Sequence, residues 1–223
     1  MGAVRRSGYV PLVKVGAICW DWNGTLLDDV ERCLRTMNST LSAFGKPAIA
    51  DATSYRSIFR FPLQSFYADA GFEPHEYRAA VDHYLGLLAL DDSAVPLHEG
   101  ARETIALIRA RGIRQVLASA TQAPLLEAQM RPHQLHESFD EVLSITDVHV
   151  ASKRDVIAAW LGGSSLDPQE VLLIGDTNHD LEIAMDLGTQ FVHFAQGHQE
   201  LPAGSGTRQI TALGQLSQLL VDH

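Results

Sequence analysis

Four short apolar runs in this chain each end at, or just before, a residue able to do chemistry, and this recurrence restricts the fold more than any other feature. VGAICW over 15–20 is followed by Asp21, and IRQVLA over 113–118 by Ser119. EVLSIT over 141–146 leads through a short loop to Lys153, and VLLIG over 171–175 runs into Asp176, with Asp180 four residues on. An apolar run of this length bounded by turn residues reads as a buried strand. Helical patterns alternate with the strands. Asp28 offers an N-cap with Glu31 three residues on, ahead of Val30, Leu34, Met37, Leu41 and Phe44 at helical spacing. Further helices are expected over 102–111, 124–130, 153–161 (stopped by Gly162 and Gly163), 178–187 and 213–220, with a last strand over 191–194. Such alternation predicts an α/β protein built on a doubly wound parallel sheet. Residues 47–97 break the rhythm: they are rich in aromatics and carry no convincing strand, so they read as a helical insertion. The division expected is a Rossmann-like core over 1–27 and 98–223 with a small helical cap, 28–97, inserted after the first strand.

In open α/β sheets ligands bind beyond the carboxyl ends of the strands, where Asp21, Ser119, Lys153, Asp176 and Asp180 would all converge. Clustered carboxylates repel, and without a cation some are driven to protonate. A hard divalent ion with oxygen ligands, magnesium for preference, removes that repulsion and leaves room for substrate oxygens.

With 17 Lys+Arg against 27 Asp+Glu the net charge is −10, which argues against sequence-independent binding to nucleic acid or an anionic membrane. The same charge means that an anionic substrate needs a metal ion or a local basic pocket. The apolar stretch near the N-terminus is too short and interrupted for a signal-peptide core or a spanning helix. Two cysteines, Cys19 and Cys33, make no disulfide framework, and the expected location is the cytoplasm.

The segments Asp21-Trp22-Asn23-Gly24-Thr25-Leu26, Ser119, Lys153 and Gly175-Asp176-Thr177-Asn178-His179-Asp180 resemble, in order, the four motifs of the haloacid dehalogenase superfamily. The resemblance extends over nearly the whole chain. Most members are magnesium-dependent phosphatases, and the likeness implies a small phosphorylated substrate. It implies that Asp21 is a nucleophile forming an aspartyl-phosphate, with Ser119 and Lys153 binding phosphoryl oxygens and Thr25 and Gly24 shaping the loop. The ion would be held by the Asp21 side chain, the Asn23 backbone carbonyl, Asp176 and Asp180.

Asn23 departs from the family pattern, which usually carries a second aspartate there as general acid and base. Two alternatives follow: a phosphonate or other carbon-bond hydrolase using the same Asp21, and a metal- and phosphate-binding protein with weakened turnover. His179 is one candidate to supply the missing proton. Arg56 and Arg60 are hypothetical substrate contacts in the insertion, more readily read as ordinary surface arginines. His193 and His198 are expected to be packed or solvated, and Cys19 a small buried hydrophobe.

Overall fold

The computed structural model describes residues 14–90, 94–145, 152–202 and 206–220. Its centre is a six-stranded sheet of β1 (Ala17–Trp20), β2 (Arg114–Gln122), β3 (Glu141–Ile145), β4 (Val171–Gly175), β5 (Gln190–Phe194) and β6 (Gln209–Ile210). The spatial order is β3-β2-β1-β4-β5-β6, and every pairing is parallel. Because β1 sits between β2 and β4, chain direction across the sheet reverses around it, and a crevice opens at the carboxyl ends of those three strands.

Both faces of the sheet are covered, which explains why the strands are apolar without alternation. In β1, Ile18 and Trp20 point to one side and Ala17 and Cys19 to the other, yet all four are buried. The first side packs against Ile105 and Ile108 of α5 (Ala101–Ala110), Leu126 and Met130 of α6 (Ala123–Met130) and Leu216 of α9 (Leu216–Leu219). The second packs against Ile157 and Trp160 of α7 (Lys153–Gly163) and Ile183 and Ala184 of α8 (Asn178–Leu187).

Among the described residues, four helices follow β1 before α5: α1 (Val30–Ala43), α2 (Ala52–Ile58), α3 (Leu63–Asp69) and α4 (Tyr77–Leu90). They enclose a cluster of their own, in which Val30, Leu34, Met37 and Leu41 of α1 meet Tyr55, Phe66, Tyr67, Phe72 and Ala80. Most of the insertion's aromatic residues are spent on this packing.

Several local expectations need correction. Asp28 does not cap α1; its backbone N–H goes to the Pro96 carbonyl, and Asp29 is the residue before the helix. The glycine pair does not cut α7 short at Leu161: the helix includes Gly162 and ends at Gly163, with Ser164 as its C-cap. The second strand runs past Ser119 to Gln122, and a two-residue sixth strand, too short to show a pattern, completes the sheet. The final helix is a 3-10 turn over Leu213–Gln215 followed by the single turn of α9. Thr146 and residues 1–13 lie outside the described residues. Among the described residues no helix is long and apolar enough to cross a membrane.

Candidate active site

Asp21 follows β1 directly, and its backbone N–H bonds to the Ile174 carbonyl at 2.9 Å, which carries the strand's pairing one residue past the end of β1. Asp176 follows β4 in the same way. Asp180 sits in the first turn of α8, inside a capping box with Thr177: its Oδ2 accepts from the Thr177 backbone N–H at 3.1 Å and hydroxyl at 2.7 Å. That leaves Oδ1 of Asp180 free to face the site. Lys153 is the first residue of α7, whose own capping box uses Ser152 and Asp155.

These placements bring four chains of contact together. Lys153 Nζ donates to Asp21 Oδ1 and to Asp180 Oδ1, both at 2.5 Å. The Thr25 hydroxyl lies 3.0 Å from Asp21 Oδ2 and 3.3 Å from Asp176 Oδ1. Asp21, Asp176 and Asp180 each present a carboxylate oxygen within 4.8 Å of the others, and all three are buried. Gly24 and Gly197 permit this crowding, since a Cβ on either would run into the Asp176 carboxylate; Gly24 also needs its φ of +75°. Ser119 is buried two residues beyond Leu117, the β2 partner of Trp20, so it reaches the same edge of the sheet. Its hydroxyl accepts from the Thr121 backbone N–H at 3.1 Å.

The charges do not balance. Three carboxylates face one ammonium, and burial penalises each of them. Burial raises the Asp21 carboxyl against the pull of Lys153. Burial, reinforced by Asp21 and Asp180, lifts Asp176 well above the ordinary carboxylate range. Asp180 goes the other way, because Lys153 and the Thr177 hydrogen bonds outweigh its burial. Lys153, though buried, is held charged above the usual lysine range by Asp180 and Asp21. A cluster of oxygen donors with this charge excess, cradled by glycines, fits a hard divalent cation.

A second buried cluster adjoins the first and includes functional candidates that the sequence reading misses. Asp29 accepts from the Asn23 side-chain amide at 2.8 Å, from the Gly24 backbone N–H at 2.8 Å and from His198 Nε2 at 3.1 Å. His198 is therefore neither merely packed nor solvated. Its backbone N–H donates to Asp176 Oδ2 at 2.5 Å, and its other ring nitrogen lies 3.1 Å from the Tyr55 hydroxyl of α2. Burial alone would make this imidazole neutral, but the Asp29 carboxylate overrides it and pushes the pKa up to about 9. Asp29 is correspondingly held below the usual range. Asn23 is fixed at both ends of its amide, since its Oδ1 accepts from the Thr121 hydroxyl at 2.9 Å. The doubled Asp28-Asp29 just after the first motif is the one sequence signal that could have pointed here.

The other candidates fall elsewhere. Arg56 donates to the carbonyls of Gly197 at 2.8 Å and Gln196 at 3.0 Å, tying α2 to the loop after β5. Arg60 pairs with Asp69. His179 stacks on Phe61 with ring centroids 4.9 Å apart, and burial keeps it neutral to lower pH than an exposed histidine. His193 is fully buried in β5 and pushed down to about 4 by burial; the nearby Gln199 carbonyl lies outside hydrogen-bonding geometry. Cys19 is an inert buried thiol raised to about 12 by burial.

A carboxylate held by a lysine and flanked by two further acids, at the crevice of a sheet in this strand order, marks a ligand site on a doubly wound α/β core. The family profile described as haloacid dehalogenase-like hydrolase matches residues 18–194, and the chain belongs to that family. It is 24% identical over 172 residues to a phosphoglycolate phosphatase of Synechococcus elongatus, which covers 77% of this chain and 80% of the relative. Among solved structures, protein tyrosine kinase A of Mycobacterium tuberculosis superposes with a TM-score of 0.77 at 18% identity, over 93% of this chain and 98% of that one. CbbY of Rhodobacter sphaeroides, solved with xylulose-1,5-bisphosphate, superposes with a TM-score of 0.62 at 24% identity, over 91% and 96%.

Proposed function

We propose that this chain is a magnesium-dependent phosphatase of small phosphorylated metabolites that works through an aspartyl-phosphate on Asp21. The convergence of Asp21, Asp176 and Asp180 on Lys153 carries this reading. A divalent cation held by the carboxylates of Asp21, Asp176 and Asp180 and the Asn23 backbone carbonyl would offset their excess charge and that of the phosphoryl oxygens. Lys153 holds one oxygen of Asp21 and favours its charged form against burial, while Thr25 steadies the other oxygen. Asp21 then attacks phosphorus, a P–O bond forms to its carboxylate oxygen, and the ester P–O bond breaks with the electron pair leaving on the alcohol oxygen. Water then attacks phosphorus, the bond between phosphorus and the Asp21 oxygen breaks to release inorganic phosphate and restore Asp21, and the proton the water gives up balances the one the alkoxide takes from solvent. Ser119 and Lys153 are the proposed ligands of the phosphoryl oxygens, and the helices over 28–97 the proposed cap over the cleft.

The test is phosphate release from a panel of phosphate esters with magnesium and with a chelator. Metal-dependent release that vanishes in Asp21→Asn supports the reading, and no release from any ester defeats it. One observation favours a second reading, in which the site binds metal and phosphate with slow turnover. The Asn23 amide is fixed by Asp29 and Thr121 and cannot exchange a proton at neutral pH, and such exchange is worth roughly 10² to 10⁴ in rate. Isolation of a long-lived phosphorylated Asp21 without net phosphate release would favour it.

A further inference from the structure

The insertion meets the carboxylate cluster through two phenylalanines. Phe59, next after α2, lies against the His198 ring with centroids 5.1 Å apart and a 31° tilt. Phe61 stacks on His179 at 4.9 Å and 27°. Each of these histidines adjoins the acidic site: the His198 backbone N–H bonds to Asp176, and His179 immediately precedes Asp180. The Phe59 and Phe61 rings also touch each other, with centroids 6.0 Å apart. Both are only partly buried, although Phe59 also packs on Tyr55 and Phe66 of the insertion's own core, with ring centroids 5.4 and 4.9 Å away. The Phe61 backbone is fixed in place by Asn178, whose side-chain oxygen accepts from the Phe61 N–H at 3.0 Å and whose amide donates to the Phe61 carbonyl at 3.2 Å.

The charged side chains of the same segment are engaged elsewhere. Between Ala52 and Asp69 the basic residues are Arg56 and Arg60. The first is bound to the Gln196 and Gly197 carbonyls and the second to Asp69. A second anionic group on a substrate would lose its hydration here without finding an unengaged cation in this segment, beside a cluster that already carries excess negative charge. A flat uncharged ring would instead meet the parts of Phe59 and Phe61 that stay exposed beside their own ring partners, where edge and offset contacts attract.

We propose that Phe59, Phe61 and His179 form the leaving-group subsite, and that the substrate is a phosphate monoester of an uncharged aromatic alcohol. This rests on the phosphatase reading above and specifies its substrate class. The class differs from the phosphoglycolate and xylulose bisphosphate named for two of the relatives, both of which carry a second anionic group.

Three esters with closely matched leaving groups separate the possibilities: benzyl phosphate, cyclohexylmethyl phosphate and 4-carboxybenzyl phosphate. Benzyl phosphate should exceed the cyclohexyl ester in kcat/KM by about three- to tenfold, the value of a ring-pair interaction. It should exceed the carboxylated ring by about tenfold or more, because that carboxylate meets no partner. Phe61→Leu, and independently Phe59→Leu, should bring the benzyl-to-cyclohexylmethyl ratio towards unity, a change that general loss of folded protein would not produce. Equal or better turnover of the carboxylated ester, or a ratio unmoved in both variants, overturns the subsite while leaving the phosphatase reading intact. Magnesium-dependent release from none of the three, nor from the wider ester panel, overturns both.

Discussion

Two buried charge clusters lie side by side in this molecule, and they keep their accounts differently. In one, His198 and Asp29 form a single ion pair whose remaining hydrogen bonds come from Asn23, Gly24 and Tyr55. In the other, Asp21, Asp176 and Asp180 share Lys153, and Asp176 is lifted well above the carboxylate range. A balanced, fully hydrogen-bonded pair is complete as folded and serves to hold neighbours in place. An unbalanced cluster is incomplete until something positive joins it, and so it marks where a ligand belongs. The clusters are joined through Asp176, which receives the His198 N–H, and through the 21–25 loop.

The largest expected effect is on the unbalanced side. Asp21→Asn removes the proposed nucleophile and should lower magnesium-dependent phosphate release by about 10³-fold or more in a steady-state assay. On the balanced side, Asp29→Asn strands the His198 charge in the interior. Urea denaturation should show a loss of about 3–5 kcal/mol, the usual cost of breaking a buried pair. Asp176→Asn should have the opposite sign in chelator, because it removes a buried carboxyl that the metal-free fold must either keep charged beside its neighbours or protonate, and a gain of about 1 kcal/mol in the same measurement would sharpen the contrast. A loss of stability in that variant would show that the two clusters do not differ as described.

The pH dependence is the smallest effect. His198, with a folded pKa of about 9, binds its proton more tightly in the fold than in the unfolded chain. Its contribution is therefore fully present below about pH 6.5 and is lost as pH rises through about 9. Asp29, held low, contributes above the ordinary carboxylate range and loses that contribution on acidification. His193 adds to the acid side, since a buried imidazole pushed down to about 4 penalises folding as pH falls from about 6.5 towards 4. On the acid side the raised carboxyls of Asp21 and Asp176 act in the opposite sense to Asp29 and His193, so the alkaline limb is the diagnostic one: unfolding midpoints should fall as pH rises towards 10, and His198→Gln should flatten that fall; an unchanged alkaline limb would contradict the assignment of that charge.

How legible each cluster is in the sequence follows from how it is built. Asp21 and Asp176 come directly after apolar strands, and Lys153 and Asp180 at helix starts, so strand order alone brings them to one edge. Asp29 and His198 are separated by 169 positions, and His198 sits in a loop whose course no periodicity reports. Arg56 and Arg60 are visible as cations, but their engagement by loop carbonyls and by Asp69 depends on how the insertion's aromatics pack. The sheet itself is readable from five apolar runs, while the sixth strand, Gln209–Ile210, forms only because β5 offers it an edge.

The central claim is that the three carboxylates together hold a divalent cation. Calorimetric titration with magnesium tests it most directly, on the wild-type chain and on Asp176→Asn. The account predicts saturable binding of one ion in the wild type, weakened by about tenfold or more in the variant. Equal affinity in both, or no binding by the wild type, would contradict it.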